Sequence, residues 1–466
     1  MTWSERLGAL DAMFLYIEDR TAHMHVGAVA IFEGRAPPYR DLVALIASKL
    51  DRAPRYRQRL AFVPFDLGRP VWIDDANLDL EFHVRHTALP PPGGDEQLKK
   101  LAGRVFAQRL DRDRPLWEVW LVEGLGESRF ALLSKTHHCM LDGVAGADLA
   151  TVLLGVDPAE VVPAEPVPWK PRPAPRNAVL MASALAGQVA HPFQVLRGAF
   201  QPSNPARRVL LELGAGLKPL LGLSRLGRAP ASSLNQAIGP HRRWEMVSLD
   251  LDAVKGVRAA LGGTVNDVLL AVVAAALREL LEARGEAPPE EIRAMIPVSV
   301  RGAGSPGELG NRVTAVFCAL PVGEADALQR LRKVSREMTS LKESGQAVGA
   351  LAWTHLGSFA PPAVLAQVAR FQSTFRYMNL VVTNIPGPRD PIYLLGRRML
   401  EWYPLVPLAQ GQTLGIAIQS YQGKIGIGLL GDGEALRDLP LVARAIPAAL
   451  AELTELARRG TSGGRG

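Results

Sequence analysis

A proline-rich stretch in the first half of the chain limits what the protein can fold into. Residues 156–176 carry seven prolines in 21 positions. Proline lacks a backbone N–H and its ring clashes with the preceding helical turn, so such a stretch forms a semi-rigid connector and cannot sustain a helix. The sequence therefore predicts an N-terminal domain over residues 1–160, a proline-rich and helical linker over 161–235, and a C-terminal domain over 236–466.

The size and composition of the chain are those of a folded globular protein. It has 466 residues, of which 48% are hydrophobic and 21% charged, so there is enough apolar material for two or more sizeable cores. The two cysteines, Cys139 and Cys318, are too few for a disulfide-rich scaffold or an all-cysteine zinc site. This usage fits the reducing cytoplasm.

We expect neither export, nor a membrane span, nor nucleic-acid binding. The first 20 residues contain four acidic side chains and no long apolar run, unlike a signal or transit peptide. No later segment reaches 18 uncharged apolar residues. The net charge of +7 is mostly arginine spread along the chain, without the basic block of a nucleic-acid site. It suits an anionic lipid surface or a phosphorylated substrate, although ordinary solvated charge gives the same count.

Local patterns predict strands and helices in both halves of the chain. Strands are indicated by alternating apolar and polar residues, and helices by apolar residues three or four apart. The expected strands are residues 22–34, 129–136 and 243–251, and the expected helices are 40–60, 96–110, 253–261 and 264–280. Periodicity alone thus predicts a protein of mixed strands and helices.

The stretch most suggestive of chemistry is Thr-His-His-Cys-Met-Leu-Asp-Gly at residues 136–143. A predicted strand precedes it and an Ala- and Leu-rich helical run follows Gly143, so the histidines lie where a strand enters a loop. His137 and His138 then point to opposite sides, with His138 near the mouth of the loop. A neutral imidazole takes a proton from an alcohol at neutral pH, which makes His138 the candidate general base for acyl transfer to oxygen.

The neighbours of His138 leave alternatives open. Asp142 either holds the imidazole tautomer or braces the loop by pairing with a distant arginine. Cys139 must be weighed as a nucleophile, although strand alternation sends it to a different side from His138. By itself, the stretch is also consistent with two hydrogen-bonded structural histidines followed by an Asp-Gly turn.

An ordered series of motifs sets these histidines in a wider pattern. The motifs are LDAMFLYIED (10–19), HVGAVAIFEG (25–34), LDRDRPLWEVW (110–120), SSLNQAIGPHRR (232–243), TVNDVLLAVVAAALREL (264–280), IPVSVR (296–301), GNRV (310–313), VVTNIPGPR (381–389) and SYQGKIGIGLLGD (420–432). Along most of its length the chain resembles the wax ester synthase/diacylglycerol acyltransferase family, within the HxxxD-type CoA-dependent acyltransferase superfamily. One departure is Gly8-Ala9, where the family usually has Ser-Pro.

The resemblance implies an α/β (α+β) fold of two chloramphenicol-acetyltransferase-like domains with the active site in a central channel between them. Acyl-CoA would enter from one side and a hydroxyl acceptor from the other, and His138 would remove the hydroxyl proton as oxygen attacks the thioester. The expected reaction transfers a long-chain acyl group to diacylglycerol, with some transfer to long-chain alcohols. The products are triacylglycerol or wax esters and free CoA, and no metal or organic cofactor is implied.

The resemblance also assigns roles to other motif residues. His137, Asp142 and Gly143 complete the histidine motif, and Asp142 is expected to turn away from the substrate and pair with Arg301. Asn266 lies at a helix start, and its amide is expected to stabilise the oxyanion, ordinary helix capping being the alternative.

Two further motif segments are expected on the substrate side. Pro115, Leu116 and Trp117 are expected to shape the acceptor side of the site, and the alternative is a buried aromatic anchor between sheet and helix. Asp267 is also expected to bind substrate. Thr264 is the expected N-cap of the helix, and Asp267, at the third following position, adds acidic charge to its first turn.

A lipid acceptor implies where the protein works. We expect a cytoplasmic protein attached peripherally to a membrane or lipid droplet through its positive charge and the apolar residues 177–226; packing on the domains is the other use of that segment. Two other functions stay open. One is an acyltransferase that takes carrier-bound acyl groups, and the other is a non-catalytic lipid-binding protein, which would release no CoA from acyl-CoA.

Overall fold

The structure is a computed structural model that describes residues 5–126, 128–141, 153–159, 169–186, 227–299, 313–343 and 376–462. The first half and the linker contain β1 (Glu5–Arg6), α1 (Ala9–Ile17), β2 (His25–Glu33), α2 (Tyr39–Lys49), β3 (Gln58–Ala61), β4 (Val71–Asp74), α3 (Leu80–His83), β5 (Val84–Ala88), α4 (Asp95–Ala107), β6 (Trp117–Leu125), β7 (Arg129–His137) and α5 (Asn177–Ala186).

The second half has the same mixture of strands and helices. Its elements are β8 (Arg242–Asp250), α6 (Leu251–Leu261), α7 (Val265–Ala283), β9 (Ile292–Ser299), β10 (Val313–Leu320), α8 (Ala327–Glu343), β11 (Leu380–Ile385), β12 (Tyr393–Leu394), β13 (Arg397–Leu405), β14 (Leu414–Tyr421), β15 (Lys424–Asp432) and α9 (Leu439–Ser462).

Two six-stranded mixed sheets organise these elements. One has the strand order β12-β13-β2-β7-β6-β5 and the other the order β10-β9-β11-β14-β15-β8. In the first sheet β5 runs parallel to β6, and in the second β11 runs parallel to both β9 and β14; the remaining ladders are antiparallel. Helices pack on both sheets, so the predicted α/β architecture with two sheet-based units is confirmed.

Both faces of strand β7, which lies inside the first sheet, are buried. Phe130 and Leu132 enter one hydrophobic core, whereas Ala131 and Leu133 enter another on the opposite side. This follows from the two-residue repeat of side chains along a strand. A strand enclosed in this way is a rigid support for the histidines at its end.

The second half of the chain contributes two strands to the first sheet. Strand β13 pairs antiparallel with β2, so that Tyr403 lies opposite Val29. It also crosses close to β15 of the second sheet: a Cβ atom at Gly426 or Gly428 would lie 1.9 Å from the carbonyl oxygen of Trp402 or Pro404, respectively. Only glycine permits such an approach. This crossing joins the two sheets, and the domain ranges drawn from the sequence stay a prediction.

The predicted strands 22–34, 129–136 and 243–251 and the helices 96–110, 253–261 and 264–280 match the structure, whereas the helical run predicted after Gly143 lies largely outside the described residues. The expected helix over residues 40–60 is wrong, because α2 ends at Lys49 and the chain then forms a 3₁₀ turn at Pro54–Arg57 and strand β3. Pro54 cannot continue an α-helix, and pairing with β4 fixes Gln58–Ala61 as a strand. The leucines that suggested one long helix therefore belong to two elements.

A smaller layer lies beside the first sheet. Strands β1, β4 and β3 form a three-stranded sheet, and Leu180 and Ala184 of α5 pack on Val71 and Ile73 of β4 and on Val63 in the β3–β4 connection. This part of the apolar segment 177–226 therefore packs on the fold; residues 187–226 lie outside the described residues. Among the described residues, no single helix is long and apolar enough to cross a membrane. Helices α6 and α7 reach that length and apolar composition only when they are taken together, and they are bent by 100° relative to each other.

Candidate active site

The end of strand β7 holds both histidines in a defined turn. His137 is the last residue of β7, opposite His25 of β2, and His138–Met140 form a 3₁₀ turn directly after it. The backbone N–H of His138 donates to the carbonyl oxygen of Met24 at 2.8 Å, and the N–H of Cys139 donates to Nδ1 of His137 at 3.1 Å. The predicted change from strand to loop at the histidines is confirmed.

His138 lies against an aromatic ring from the start of the chain. Its imidazole stacks on Phe14 of α1 with ring centroids 3.8 Å apart. Burial, with a smaller contribution from His137 beside it, lowers the pKa of His138 to about 4, because both effects disfavour the imidazolium. At neutral pH this imidazole is unprotonated and able to accept a proton, as a general base must.

His137 faces a different set of groups. Its Nε2 lies 3.7 Å from Oε2 of Glu18, and both side chains are about 1% exposed. Burial lowers the pKa of His137, although Glu18 opposes this shift. Burial alone would raise the pKa of Glu18, but His137 and Arg112 overcome it and hold the pKa at about 2. The two adjacent histidines thus have separate environments, as strand alternation predicts.

Glu18 is a site residue that the sequence analysis missed. Arg112 donates to its carboxylate through Nε at 3.0 Å and also through Nη2, and Arg109 donates at 3.3 Å. Both Glu18 and Arg112 lie within quoted motifs, LDAMFLYIED and LDRDRPLWEVW. The available signal was an acidic residue at the end of an apolar helix, four positions after Phe14, where i and i+4 residues share a helix face.

The Pro-Leu-Trp segment contacts the backbone at the end of β7. The carbonyl oxygen of Leu116 accepts from the backbone N–H of His137 at 2.9 Å. Trp117 is fully buried, donates through Nε1 to the carbonyl oxygen of Tyr56 at 2.9 Å, and stacks on His83 at 4.6 Å. Pro115 is buried too. Of the two roles left open by the sequence, the geometry favours the buried anchor.

Asn266 and Asp267 lie at the start of α7. Thr264 caps α7 as expected and forms a capping box with Asp267, in which Oδ2 of Asp267 accepts the Thr264 N–H at 2.9 Å and the Asp267 N–H donates to Thr264 Oγ1 at 3.2 Å. Oδ1 of Asn266 accepts from Nδ2 of Asn384 at 3.0 Å, which orients the Asn266 amide. The N-cap role of Thr264 is confirmed, and the contact of Asp267 with substrate stays a prediction.

Three predicted site residues cannot be placed. Asp142, Gly143 and Arg301 lie outside the described residues. The pairing of Asp142 with Arg301 therefore stays a prediction. Among the residues that are described, no group of three or more His, Cys, Asp or Glu side chains is arranged to hold a metal ion.

Cys139 should be dispensable for turnover. Burial raises the pKa of the Cys139 thiol well above its ordinary value, and the charges of Asp11 and Glu18 raise it further, so no reactive thiolate forms at neutral pH. We expect Cys139→Ser to keep activity within about threefold of wild type, the hydroxyl being a close isostere. Intact-protein mass spectrometry after incubation with acyl-CoA alone should detect no acyl adduct, and an adduct on Cys139 would contradict this assignment.

Comparison with known proteins gives one consistent result. The profile described as the wax ester synthase/diacylglycerol acyltransferase catalytic domain matches residues 7–269, and that of the corresponding C-terminal domain matches 309–454. A probable diacylglycerol O-acyltransferase of Mycobacterium tuberculosis is 34% identical over 97% of this chain and 96% of its own length.

Solved structures match over the full length as well. The wax ester synthase/diacylglycerol acyltransferase from Marinobacter aquaeolei VT8 is 30% identical with a TM-score of 0.67, covering 97% of this chain and 100% of that one. The first condensation domain of the calcium-dependent antibiotic synthetase is 17% identical with a TM-score of 0.54, covering 97% of this chain and 96% of that one. The second likeness concerns the fold alone.

Proposed function

The chain belongs to the wax ester synthase/diacylglycerol acyltransferase family, and from this premise we propose that it transfers a long-chain acyl group from acyl-CoA to the hydroxyl of diacylglycerol, and to a lesser extent to that of long-chain alcohols. The observation that carries the proposal is His138, an imidazole held neutral by burial at the end of an enclosed strand. The relative from Mycobacterium tuberculosis, named for diacylglycerol acylation, supports this order of acceptors.

The chemistry needs only the two substrates and the protein. His138 accepts the hydroxyl proton while the acceptor oxygen attacks the thioester carbonyl, which forms a C–O bond and a tetrahedral oxyanion. Collapse of this intermediate breaks the C–S bond, and the departing CoA sulfur takes the proton from the imidazolium. Acyl-CoA is itself a substrate, so the proposal includes no metal or organic cofactor.

Asn266 is our candidate for stabilising the oxyanion. Its carbonyl oxygen is occupied by Asn384, which leaves the NH₂ group of the amide as the part that can donate to developing negative charge. The exposed N–H groups at the start of α7 would add a favourable partial charge. The motif residues Asp142, Gly143 and Arg301 remain part of the proposal as a brace for the histidine loop.

A direct assay tests the proposal. Purified protein is incubated with palmitoyl-CoA and, in separate tubes, diacylglycerol or hexadecanol, while a thiol reagent follows CoA release and chromatography resolves the lipids. We expect triacylglycerol as the main product and a smaller amount of wax ester. Dominant wax ester would reverse the order of acceptors, and the absence of CoA release and of both products would favour the lipid-binding alternative.

We also place the enzyme on the surface of a membrane or lipid droplet, and an exposed apolar patch supports this. Phe65 is 86% exposed at the tip of the β3–β4 hairpin, where its backbone has the left-handed φ of 59°. Such a conformation is unfavourable for a non-glycine residue and often has a functional reason. Phe62 on the same hairpin, and Val179 and Leu185 on α5, are exposed as well. We call these four residues the hairpin patch.

The hairpin and α5 are in direct contact. A Cβ atom at Gly68 would lie 2.8 Å from Cβ of Ala184, so the hairpin packs directly on the helix, and α5 contains no charged residue. Arg6 joins them, because it donates to the carbonyl oxygen of Arg69 at 3.1 Å and to Ser183 Oγ at 3.4 Å. Aromatic side chains beside arginines suit an anionic lipid surface.

Vesicle binding tests the hairpin patch. We expect Phe62→Ser/Phe65→Ser to weaken binding to phosphatidylglycerol/phosphatidylcholine vesicles by at least about tenfold, since full burial of one aromatic ring contributes roughly 1.5–3 kcal/mol and about 1.4 kcal/mol is already a factor of ten. Val156→Ser is the matched control, because Val156 is 70% exposed but lies beside β12, where Gly155 bridges Tyr393. Equal binding of the double variant and wild type would contradict the placement of the patch.

A further inference from the structure

The carboxylate of Glu18 is an enclosed charged group in contact with the histidines. It follows the last residue of α1, yet its side chain is 1% exposed and contacts four other side chains. Two of these are the arginines Arg109 and Arg112, and two are the imidazoles His25 and His137. A buried ion pair contributes little net stability compared with an apolar replacement, so stability alone gives little reason for a carboxylate here.

One hydrogen bond determines which nitrogen of His137 carries the proton. Nδ1 of His137 accepts the backbone N–H of Cys139 at 3.1 Å, so this nitrogen carries no proton. A neutral imidazole has one N–H, which must then be on Nε2. That nitrogen faces Oε2 of Glu18 at 3.7 Å. Glu18 thus favours the one tautomer of His137 that leaves Nδ1 free to hold the turn.

The second imidazole does not compete for this role. Nε2 of His25 lies 3.6 Å from Oε1 of Glu18, but the same nitrogen accepts the backbone N–H of Leu110 at 3.4 Å. Because it acts as an acceptor, it has no proton to direct at the carboxylate. His137 is therefore the imidazole through which Glu18 acts on the turn.

The turn held by His137 is the one that presents His138. The Cys139 N–H that binds His137 is inside the His138–Met140 turn, so a change in the His137 ring alters the backbone on which His138 is carried. Helix α1 also acts on His138 directly, because Phe14, one helical turn before Glu18, stacks on its ring. Helix α1 and the residue after it therefore orient His138 in two ways, through the ring of Phe14 and through the contact of Glu18 with His137.

We propose that Glu18 is a positioning residue for catalysis, which fixes the Nε2–H tautomer of His137 and thereby holds the turn that presents His138. Glu18 does not touch the reacting atoms in this scheme. It acts through two contacts, from Glu18 to His137 and from His137 to the Cys139 backbone N–H. We therefore expect its loss to lower kcat and to leave KM little changed. We call these two contacts the relay. The proposal rests on the acyltransferase function for its kinetic test, whereas its spectroscopic test does not depend on activity.

A double-mutant cycle gives the kinetic test. Glu18→Gln keeps the shape of the side chain but offers an NH₂ group as readily as an oxygen, and His137→Asn keeps an acceptor near the Cys139 N–H while losing the reach to Glu18. We expect each change to lower kcat by about 10- to 100-fold, a typical result of displacing a catalytic group by about 1 Å, with KM for palmitoyl-CoA altered less than about twofold. The double variant should be no slower than the slower single variant, since both changes break the same relay.

Asp19→Asn is the control for loss of a carboxylate in this segment. Asp19 is exposed and binds the backbone N–H groups of Thr21 and Ala22, so its removal should leave kcat within about twofold of wild type. Losses that multiply in the Glu18/His137 double variant, or wild-type kcat in folded Glu18→Gln, would overturn the proposal. His137→Asn leaves the Glu18–Arg112 pair intact and carries the kinetic comparison if Glu18→Gln unfolds.

Histidine ¹⁵N spectra give a readout that a purely structural role would not change. In wild-type protein labelled at histidine, the signals of His137, assigned with His137→Asn, should show a protonated Nε2 and an unprotonated Nδ1. In Glu18→Gln we expect a mixture of tautomers. A protonated Nδ1 in the wild type would overturn the proposal. If the wild type releases no CoA with any acceptor, the acyltransferase function fails, and these spectra still decide the role of Glu18.

Discussion

His138→Ala should lose nearly all acyl transfer while the protein remains folded. Loss of a general base lowers the rate by roughly 10²–10⁴-fold. The imidazole stacks on Phe14 and belongs to the turn that follows strand β7, whose own contacts stay in place, so circular dichroism and the melting temperature should change little. CoA release from palmitoyl-CoA with diacylglycerol is the measurement. A folded variant that keeps near-wild-type turnover would refute the assignment of the base.

His86→Ala is the matched control for this change. His86 pairs with Glu123 at 2.8 Å and stacks on Tyr39, so it is also a ring-stacked histidine, but it lies on β5 at the edge of the first sheet. Its replacement should leave turnover within about twofold of wild type, because exposed ion pairs contribute little. A comparable loss in both variants would mean that the assay reports general destabilisation.

The pKa of His138 sets the pH profile in the wild type. Burial stabilises the neutral imidazole, so its pKa is lowered to about 4, and activity should fall only as the pH falls towards this value. We therefore expect kcat/KM to be nearly constant between about pH 5.5 and 7.5. An imidazole with an ordinary pKa of about 6.5 would lose most of its activity at pH 5.5. A midpoint near 6.5 in the folded enzyme would show that His138 is not desolvated.

Much of the site could be predicted because its signals are local. The alternating residues 129–136 predicted β7, and Thr264 with Asp267 three positions later predicted the start of α7. Strand alternation alone predicted that the two adjacent histidines face opposite sides. Each of these rests on residues within one element, where side-chain periodicity and capping chemistry act over a few positions.

The remaining features depend on residues that are distant in the chain. Glu18 meets His137 across 119 positions, and β13 reaches β2 from the second half of the chain. No local pattern connects such partners. The Pro-Leu-Trp segment is intermediate: its apolar character indicated burial, but its contact with the backbone of His137 required the sheet register. Register is set by the packing of whole strands, which a single segment does not reveal.

Because β7 is enclosed on both faces, its stability depends on one buried cation, Lys135. Lys135, two residues before His137, is fully buried. Its Nζ donates to the carbonyl oxygens of Val105 and Gln108, both at 3.0 Å, at the end of α4, and lies 3.6 Å from Oε1 of Glu118. Burial lowers the pKa of Lys135, and Glu118 opposes this shift. Lys135 thus connects β7 with the end of α4 and with the carboxylate of Glu118.

Lys135→Met should therefore be among the most destabilising single changes in the first half of the chain. Methionine fills a similar volume, but Glu118 loses the cation that compensates it and the last turn of α4 loses a donor, and removing one member of a buried pair costs about 3–5 kcal/mol. Tryptophan fluorescence during urea unfolding measures the cost. Lys255→Met is the control, since Lys255 pairs with Asp252 at 2.9 Å on an exposed face of α6 and should lose less than about 1 kcal/mol. Equal unfolding midpoints for Lys135→Met and wild type would mean that the apolar contacts of β7 alone hold the strand, and that the carboxylate of Glu118 tolerates burial without its partner.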